Sequence, residues 1–206
     1  MVDFIGVGAQ KAGTSWVYAC LYEHPEIHAP IKELHFFSRD RFSKGKDWYE
    51  SHFSHRKEGQ KVGEFSTSYL YSKETPERIK ELYPEVKLIT ILRNPVTRAY
   101  SQYRNSVKAG EVPKEMSYEE YVHNDPSAVE QGMYAKQLKR YFAEFGKEQM
   151  LVLIYEDIEK DPAAFMRRIY AFLGVDQDFV PSMLGSRINI ARTPRMVGIE
   201  RIMHHI

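Results

Sequence analysis

The first sixteen residues constrain this chain more than any other stretch. Phe4-Ile5-Gly6-Val7-Gly8 is a short apolar run, Ala9-Gln10-Lys11-Ala12-Gly13 is a loop with one lysine, and Thr14-Ser15-Trp16 opens an apolar, helix-like segment. A strand, a glycine-bearing loop and a helix N-terminus in that order offer an anion free backbone N–H groups and the positive end of a helix dipole. The spacing nearly reproduces the nucleotide-triphosphate loop G-x4-G-K-[ST], but Thr14 stands in the lysine slot and the nearby lysine is Lys11, two residues before Gly13. A cation moved into the loop suits a phosphate-bearing donor whose bridging oxygen must be neutralised. It suits the γ-phosphate of ATP less well. The plainer alternative is a structural turn that joins strand to helix.

The remaining pattern predicts an α/β fold. Helices are expected at 15–23, 45–53 (with Asp47 available as a cap), 74–82, 95–109, 118–123, 133–145 and 163–173, the last ended by Gly174. Strands are expected at 62–66, 86–92 and 150–155, with a short extended piece at 26–30. Val86 to Leu92 is the kind of β-rich apolar run that a parallel sheet buries on both faces. Strands alternating with helices indicate a central parallel sheet flanked by helices.

Composition narrows the class. A chain of 206 residues with 43% hydrophobic residues supports one domain with a real core. The net charge of +1 advertises neither nucleic acid nor an acidic membrane, so any basic site must be local. The lone Cys20, in an apolar helical setting, reads as a small buried residue and fits a reducing compartment. There is no apolar run long enough to span a membrane and no signal-like N-terminus, so the expectation is cytoplasmic, or a soluble domain cut from something larger. The Arg- and Met-rich tail from Pro181 stops inside helix-like sequence, which reads as a single domain over residues 1–206 that is incomplete at its C-terminus.

A second anion signal lies at Arg93 and Ser101. Arg93 ends an apolar strand, where ligands bind in open α/β sheets, and Ser101 follows about two turns into the next helix. A metal-dependent kinase would want an acid there to hold magnesium. Arg98 and Arg104 share that helix and read as solvated surface charge.

With both signals in hand, Gln10-Lys11-Ala12-Gly13-Thr14-Ser15-Trp16 resembles the 5′-phosphosulfate-binding loop of sulfotransferases that use 3′-phosphoadenosine 5′-phosphosulfate (PAPS). Leu92-Arg93-Asn94-Pro95-Val96-Thr97-Arg98-Ala99-Tyr100-Ser101 resembles their 3′-phosphate-binding segment. Further blocks resemble the heparan sulfate branch and its bacterial relatives in the same order: Lys32 to Phe37, Gly45 to Tyr49, Gly63 to Tyr69, Gly132 to Leu138, Tyr155 to Asp157 and Phe172 to Val175. The resemblance runs from residue 2 to about residue 180.

The resemblance implies a P-loop-like three-layer fold and transfer of a sulfuryl group from PAPS to a hydroxyl or amine of a glycan, lipid or other small metabolite, with no metal. Gln10, Lys11, Ala12, Gly13, Thr14, Ser15, Trp16, Arg93 and Ser101 would bind the donor, Trp16 by packing on adenine. Lys11 would sit on the bridging oxygen, Glu33 would take the acceptor proton, His35 would assist, and Glu64 would support from a strand end. Two departures matter. Phe65 stands where the heparan sulfate branch often has lysine, which counts against heparan sulfate itself as acceptor. The C-terminal closing loop is matched only loosely by Asn189 to Arg195, with Arg192 and Arg195 as its cations. The competing readings are a P-loop nucleotide kinase and a catalytically inactive nucleotide-binding module.

Overall fold

The computed structural model describes residues 2–185. Five strands form one parallel sheet: β1 (Phe4–Gly8), β2 (Ile27–His28), β3 (Lys61–Phe65), β4 (Lys87–Leu92) and β5 (Met150–Ile154), in the order β2-β3-β1-β4-β5. Every residue of β1 is buried, as the central position of an apolar strand requires. The helices between the strands supply the parallel crossovers, so the expected P-loop-like α/β architecture holds. It sets the ends of β1, β3 and β4 side by side.

The central contact is close. Gly6 pairs with Phe65, and a Cβ added at Gly6 would lie 2.2 Å from the Phe65 ring. Phe65 is therefore wholly buried against the neighbouring strand, and offers an acceptor neither a charge nor an exposed ring.

Helix α1 (Thr14–Glu23) follows the first loop, α2 (Gly45–Ser51) precedes β3, and α3 (Thr75–Leu82) leads to β4. Helix α4 (Pro95–Ala109) starts sharply because Asn94 Oδ1 accepts the N–H groups of Val96 (3.0 Å) and Thr97 (3.3 Å), with Pro95 preset for the first turn. Next come α5 (Tyr118–Asn124), α6 (Ser127–Glu130), α7 (Tyr134–Glu144), α8 (Glu156–Lys160) and α9 (Pro162–Leu173), the last capped by Asp161 and ended by left-handed Gly174. Helices α6 and α8 were not expected. Four and five residues are too few to show a 3.6-residue period.

Two local expectations fail. Asp47 lies inside the first turn of α2 and does not cap it. Arg98 is fully buried: Nη1 donates to Gln102 Oε1 (2.7 Å) and Nη2 to the Ala128 carbonyl, so it stitches α4 to α6 and is no surface charge. Cys20 is buried as expected, and burial foremost pushes its thiol up to about 12, which leaves it inert packing. No helix among the described residues is long and apolar enough to cross a membrane. Asn189 to Arg195 lie outside the described residues.

The fully buried carboxylate is Glu64, on β3. It accepts from Ser66 Oγ (2.6 Å), Tyr69 Oη (2.6 Å) and Tyr49 Oη (3.1 Å). Burial raises its pKa against those three donors, and the nearby Glu33 charge adds to the rise, bringing it to about 7. Between pH 4.5 and about 7 the folded chain keeps a proton that the unfolded chain has lost, so this group makes stability fall as pH rises and then level off. A carboxyl moved that far corresponds to about 3 kcal/mol. The stability of the native chain relative to Glu64→Gln should therefore drop by up to about 3 kcal/mol between pH 4.5 and 7.5 in denaturant titrations, groups common to both cancelling. A pH-independent difference would contradict the buried titration.

Candidate active site

The loop after β1 ends at Gly13, whose left-handed backbone (φ 80°) precedes the first turn of α1. A Cβ there would stand 3.0 Å from the Tyr155 ring, so both backbone angle and space call for glycine. Among the described residues no side chain caps α1 and its first turn holds no acid, which leaves the Thr14 and Ser15 N–H groups unspent there. Gln10 and Ser15 are exposed, whereas Ala12 and Thr14 are buried. Trp16 is only 7% exposed; its ring meets Phe165 edge-on and its Nε1 donates to the Met183 carbonyl (3.2 Å). It serves the core here, and adenine packing on it rests on the resemblance alone.

Lys11 lies in the left-handed region (φ 67°), and its Nζ donates to Asn105 Oδ1 (2.9 Å) on α4. Burial, then Arg93, Lys32 and Lys108, lowers its pKa. Several cations thus converge on one loop of a nearly neutral protein.

Arg93 leaves the end of β4. Its Nε donates to Thr97 Oγ1 (3.1 Å), its Nη1 to the Lys11 carbonyl (3.0 Å), and its guanidinium lies 4.6 Å from the centre of the Tyr155 ring. No carboxylate pairs with it among the described residues, and its other N–H donors are unspent there. Thr97, Ser101 and Asn105 recur at four-residue spacing, so they share one face of α4. Thr97 touches Arg93 and Asn105 touches Lys11, which puts the half-buried Ser101 between them, facing the loop.

The segment 32–35 runs beside the end of β3. The Glu33 N–H donates to the Phe65 carbonyl (2.7 Å) and the His35 N–H to Ser66 Oγ (2.9 Å). Both residues are left-handed, at φ 61° and 55°. Lys11, Glu33 and His35 are the non-glycine residues with positive φ among the described residues, and each costs about 1–3 kcal/mol that its surroundings must hold in place.

The Glu33 carboxylate accepts from the Thr67 N–H (3.0 Å), from Thr67 Oγ1 (3.0 Å) and from Lys32 Nζ (2.5 Å). Burial pushes this carboxyl up, but Lys32, Thr67 and His35 together outweigh it and hold the pKa below the ordinary carboxylate range. His35 Nε2 lies 3.3 Å from Glu33 Oε2, and its Nδ1 lies 2.7 Å from Ser68 Oγ. Burial, with Arg39, Arg41 and Lys32, lowers the His35 pKa against the pull of Glu33. At neutral pH this is a carboxylate beside a neutral imidazole. Glu64 stays behind this layer and reaches it only through Ser66, which donates to Glu64 and accepts from the His35 N–H.

Sequence reasoning missed Thr67, Thr97 and Asn105, although the four-residue spacing from Arg93 through Ser101 pointed to the last two. Among the described residues no cluster of three His, Cys, Asp or Glu side chains has the arrangement of a metal site.

A family model described as a sulfotransferase domain matches residues 2–187. Mouse heparan sulfate glucosamine 3-O-sulfotransferase 3A1 is 35% identical over 179 residues, covering 82% of this chain and 44% of the relative. Human bifunctional heparan sulfate N-deacetylase/N-sulfotransferase 3 is 32% identical over 193 residues, covering 84% and 22%. The chain thus spans less than half the length of these curated relatives. Among solved structures, a sulfotransferase from Alicyclobacillus acidocaldarius superposes with a TM-score of 0.80 at 34% identity, over 89% of this chain and 85% of that one. Mouse sulfotransferase SULT7A1, solved with PAP, shares the fold at 20% identity (TM-score 0.58, 89% of this chain and 62% of that one). A family model spanning all of the described residues, together with relatives above 30% identity, settles the family: this chain belongs to the sulfotransferase domain family.

Proposed function

We propose that this chain transfers a sulfuryl group from PAPS to a hydroxyl, or an amine, of an acceptor. The observation that carries the reading is an ionised Glu33 beside the end of β3 and a left-handed Lys11 in the loop after the neighbouring β1, with Lys32 paired to Glu33 and its charge felt by Lys11. The N–H groups of Gly13, Thr14 and Ser15 would receive the 5′-phosphate, and Arg93 with Ser101 the 3′-phosphate. The acceptor oxygen attacks sulfur in line as the bond from sulfur to the bridging oxygen breaks. Glu33 takes the acceptor proton, and Lys11 neutralises the charge left on the departing phosphate.

Glu33 in its resting contacts is a weak base, because Lys32 and Thr67 stabilise its ionised form. A donor carrying several negative charges beside Lys32 competes for that ammonium and lifts the carboxyl toward the operating pH. His35 fixes the far carboxylate oxygen, and Glu64 acts only by keeping Ser66 under the His35 backbone.

A nucleotide kinase is disfavoured by Thr14 in the lysine slot and by Arg93 where an acid would hold magnesium. The names of the relatives support a glycan acceptor, and Phe65 gives no cation for heparan sulfate. A lipid or another small metabolite remains an outcome of an acceptor screen.

In single-turnover transfer from labelled PAPS with saturating acceptor and a chelator present, Glu33→Gln should keep donor binding and lose about 10²–10⁴-fold in rate. Lys11→Ala should lose about 10²–10³-fold and bind donor more weakly. Glu64→Gln should lose less than either. Near-normal turnover by Glu33→Gln beside a dead Glu64→Gln would show that the base is misassigned. No transfer by the native chain to any acceptor class would favour the inactive module.

A further inference from the structure

We propose that Tyr155 and Glu156 form a clamp that positions Arg93 for the 3′-phosphate, and that the Tyr155 ring ties the two phosphate-binding segments together. This rests on the donor-site reading above, yet neither residue touches the reacting atoms in it. Tyr155 and Glu156 begin one of the sequence blocks to which no role has been given.

The clamp is built at the ends of two neighbouring strands. The Tyr155 N–H donates to the Leu92 carbonyl (2.7 Å), which carries the β4–β5 pairing one residue past β5. One residue past Tyr155, Glu156 Oε1 accepts the N–H of Asn94, two residues past Leu92 (3.0 Å). Arg93 is thus bracketed by two fixed neighbours. Its guanidinium lies over the Tyr155 ring, while the same ring faces Gly13 closely enough that a Cβ there would come within 3.0 Å. One buried ring (3% exposed) therefore touches the helix-start loop on one side and the strand-end arginine on the other.

The chemistry of the holder matters. A carboxylate would also fix Arg93, but it would neutralise the guanidinium and consume its fork of donors. An aromatic face attracts the cation through the ring quadrupole and takes none of its N–H groups. Glu156 spends Oε1 on a backbone amide and forms no ion pair with Arg93 among the described residues. The arginine is held in place while its charge and several donors stay available to an anion. The Tyr155 hydroxyl is buried and has no hydrogen-bond partner among the described residues, so the ring and not the hydroxyl does the positioning.

The test compares dissociation constants for adenosine 3′,5′-bisphosphate (PAP) and AMP, measured by calorimetry on the native chain and four variants. The native chain should prefer PAP by about tenfold or more, the worth of a charge-assisted contact. Tyr155→Phe keeps the ring and should keep that ratio. Tyr155→Leu should lose most of it, with AMP affinity within about threefold of native, a pattern that general loss of structure would not give. Glu156→Gln should keep the ratio and Glu156→Leu should reduce it. A native chain with no PAP preference overturns the donor-site reading itself. A native preference that survives in Tyr155→Leu, or that vanishes in Tyr155→Phe, overturns the clamp. If Tyr155→Leu does not fold, an unchanged ratio in Glu156→Leu overturns it equally.

Discussion

Mutual repulsion among cations is the constraint on which the cleft depends. Lys11 feels Arg93, Lys32 and Lys108, and together with burial, the largest cause, these three lower its pKa. In a chain of net charge +1 this concentration has to be held by the fold. The fold does so with neutral partners: Asn105 for Lys11, and Thr97, a backbone carbonyl and the Tyr155 ring for Arg93. The Glu33 carboxylate is the exception, and Lys32 takes part of it. Such an arrangement favours entry of a polyanion, and on the proposed function this is what would attract a donor with two phosphates and a sulfuryl group.

Backbone strain is confined to the same place. Glu33 and His35 are held in left-handed conformations by hydrogen bonds with the Phe65 carbonyl, Ser66 and Thr67, and the left-handed Lys11 is held through its carbonyl by Arg93. Phe65, Ser66 and Thr67 lie at and just past the end of β3, whose register against β1 is fixed by Phe65 over Gly6. A core contact thereby sets where the Glu33 carboxylate, the proposed base, is held. The Glu64 network lies beneath Ser66, so protonation of that buried carboxyl reaches the site through one hydroxyl.

The parts of this plan that follow from short-range chemistry were legible in the sequence. The β1–loop–α1 unit, Arg93 at a strand end, Pro95 and Gly174 at helix ends and the parallel sheet all carry local signals. What was hidden depends on partners distant in sequence. Arg98 looks like any helical surface arginine until Ala128 and Gln102 enclose it. Nothing local to Glu64 says that Tyr49 and Tyr69 will bury it and raise its pKa. Thr67 is 34 residues from the Glu33 that it holds. Trp16 likewise gains distant neighbours, Phe165 and Met183, that its place in the loop motif does not reveal.

The account stands on two-point recognition of one nucleotide, with its phosphates at the ends of β1 and β4. A crystal structure of the complex with adenosine 3′,5′-bisphosphate tests it most directly. The account predicts the 5′-phosphate on the N–H groups of Gly13 to Ser15, Lys11 released from Asn105 toward it, and the 3′-phosphate on Arg93 and Ser101. A 3′-phosphate left in solvent, or a nucleotide seated away from the Gly13 loop, would contradict it.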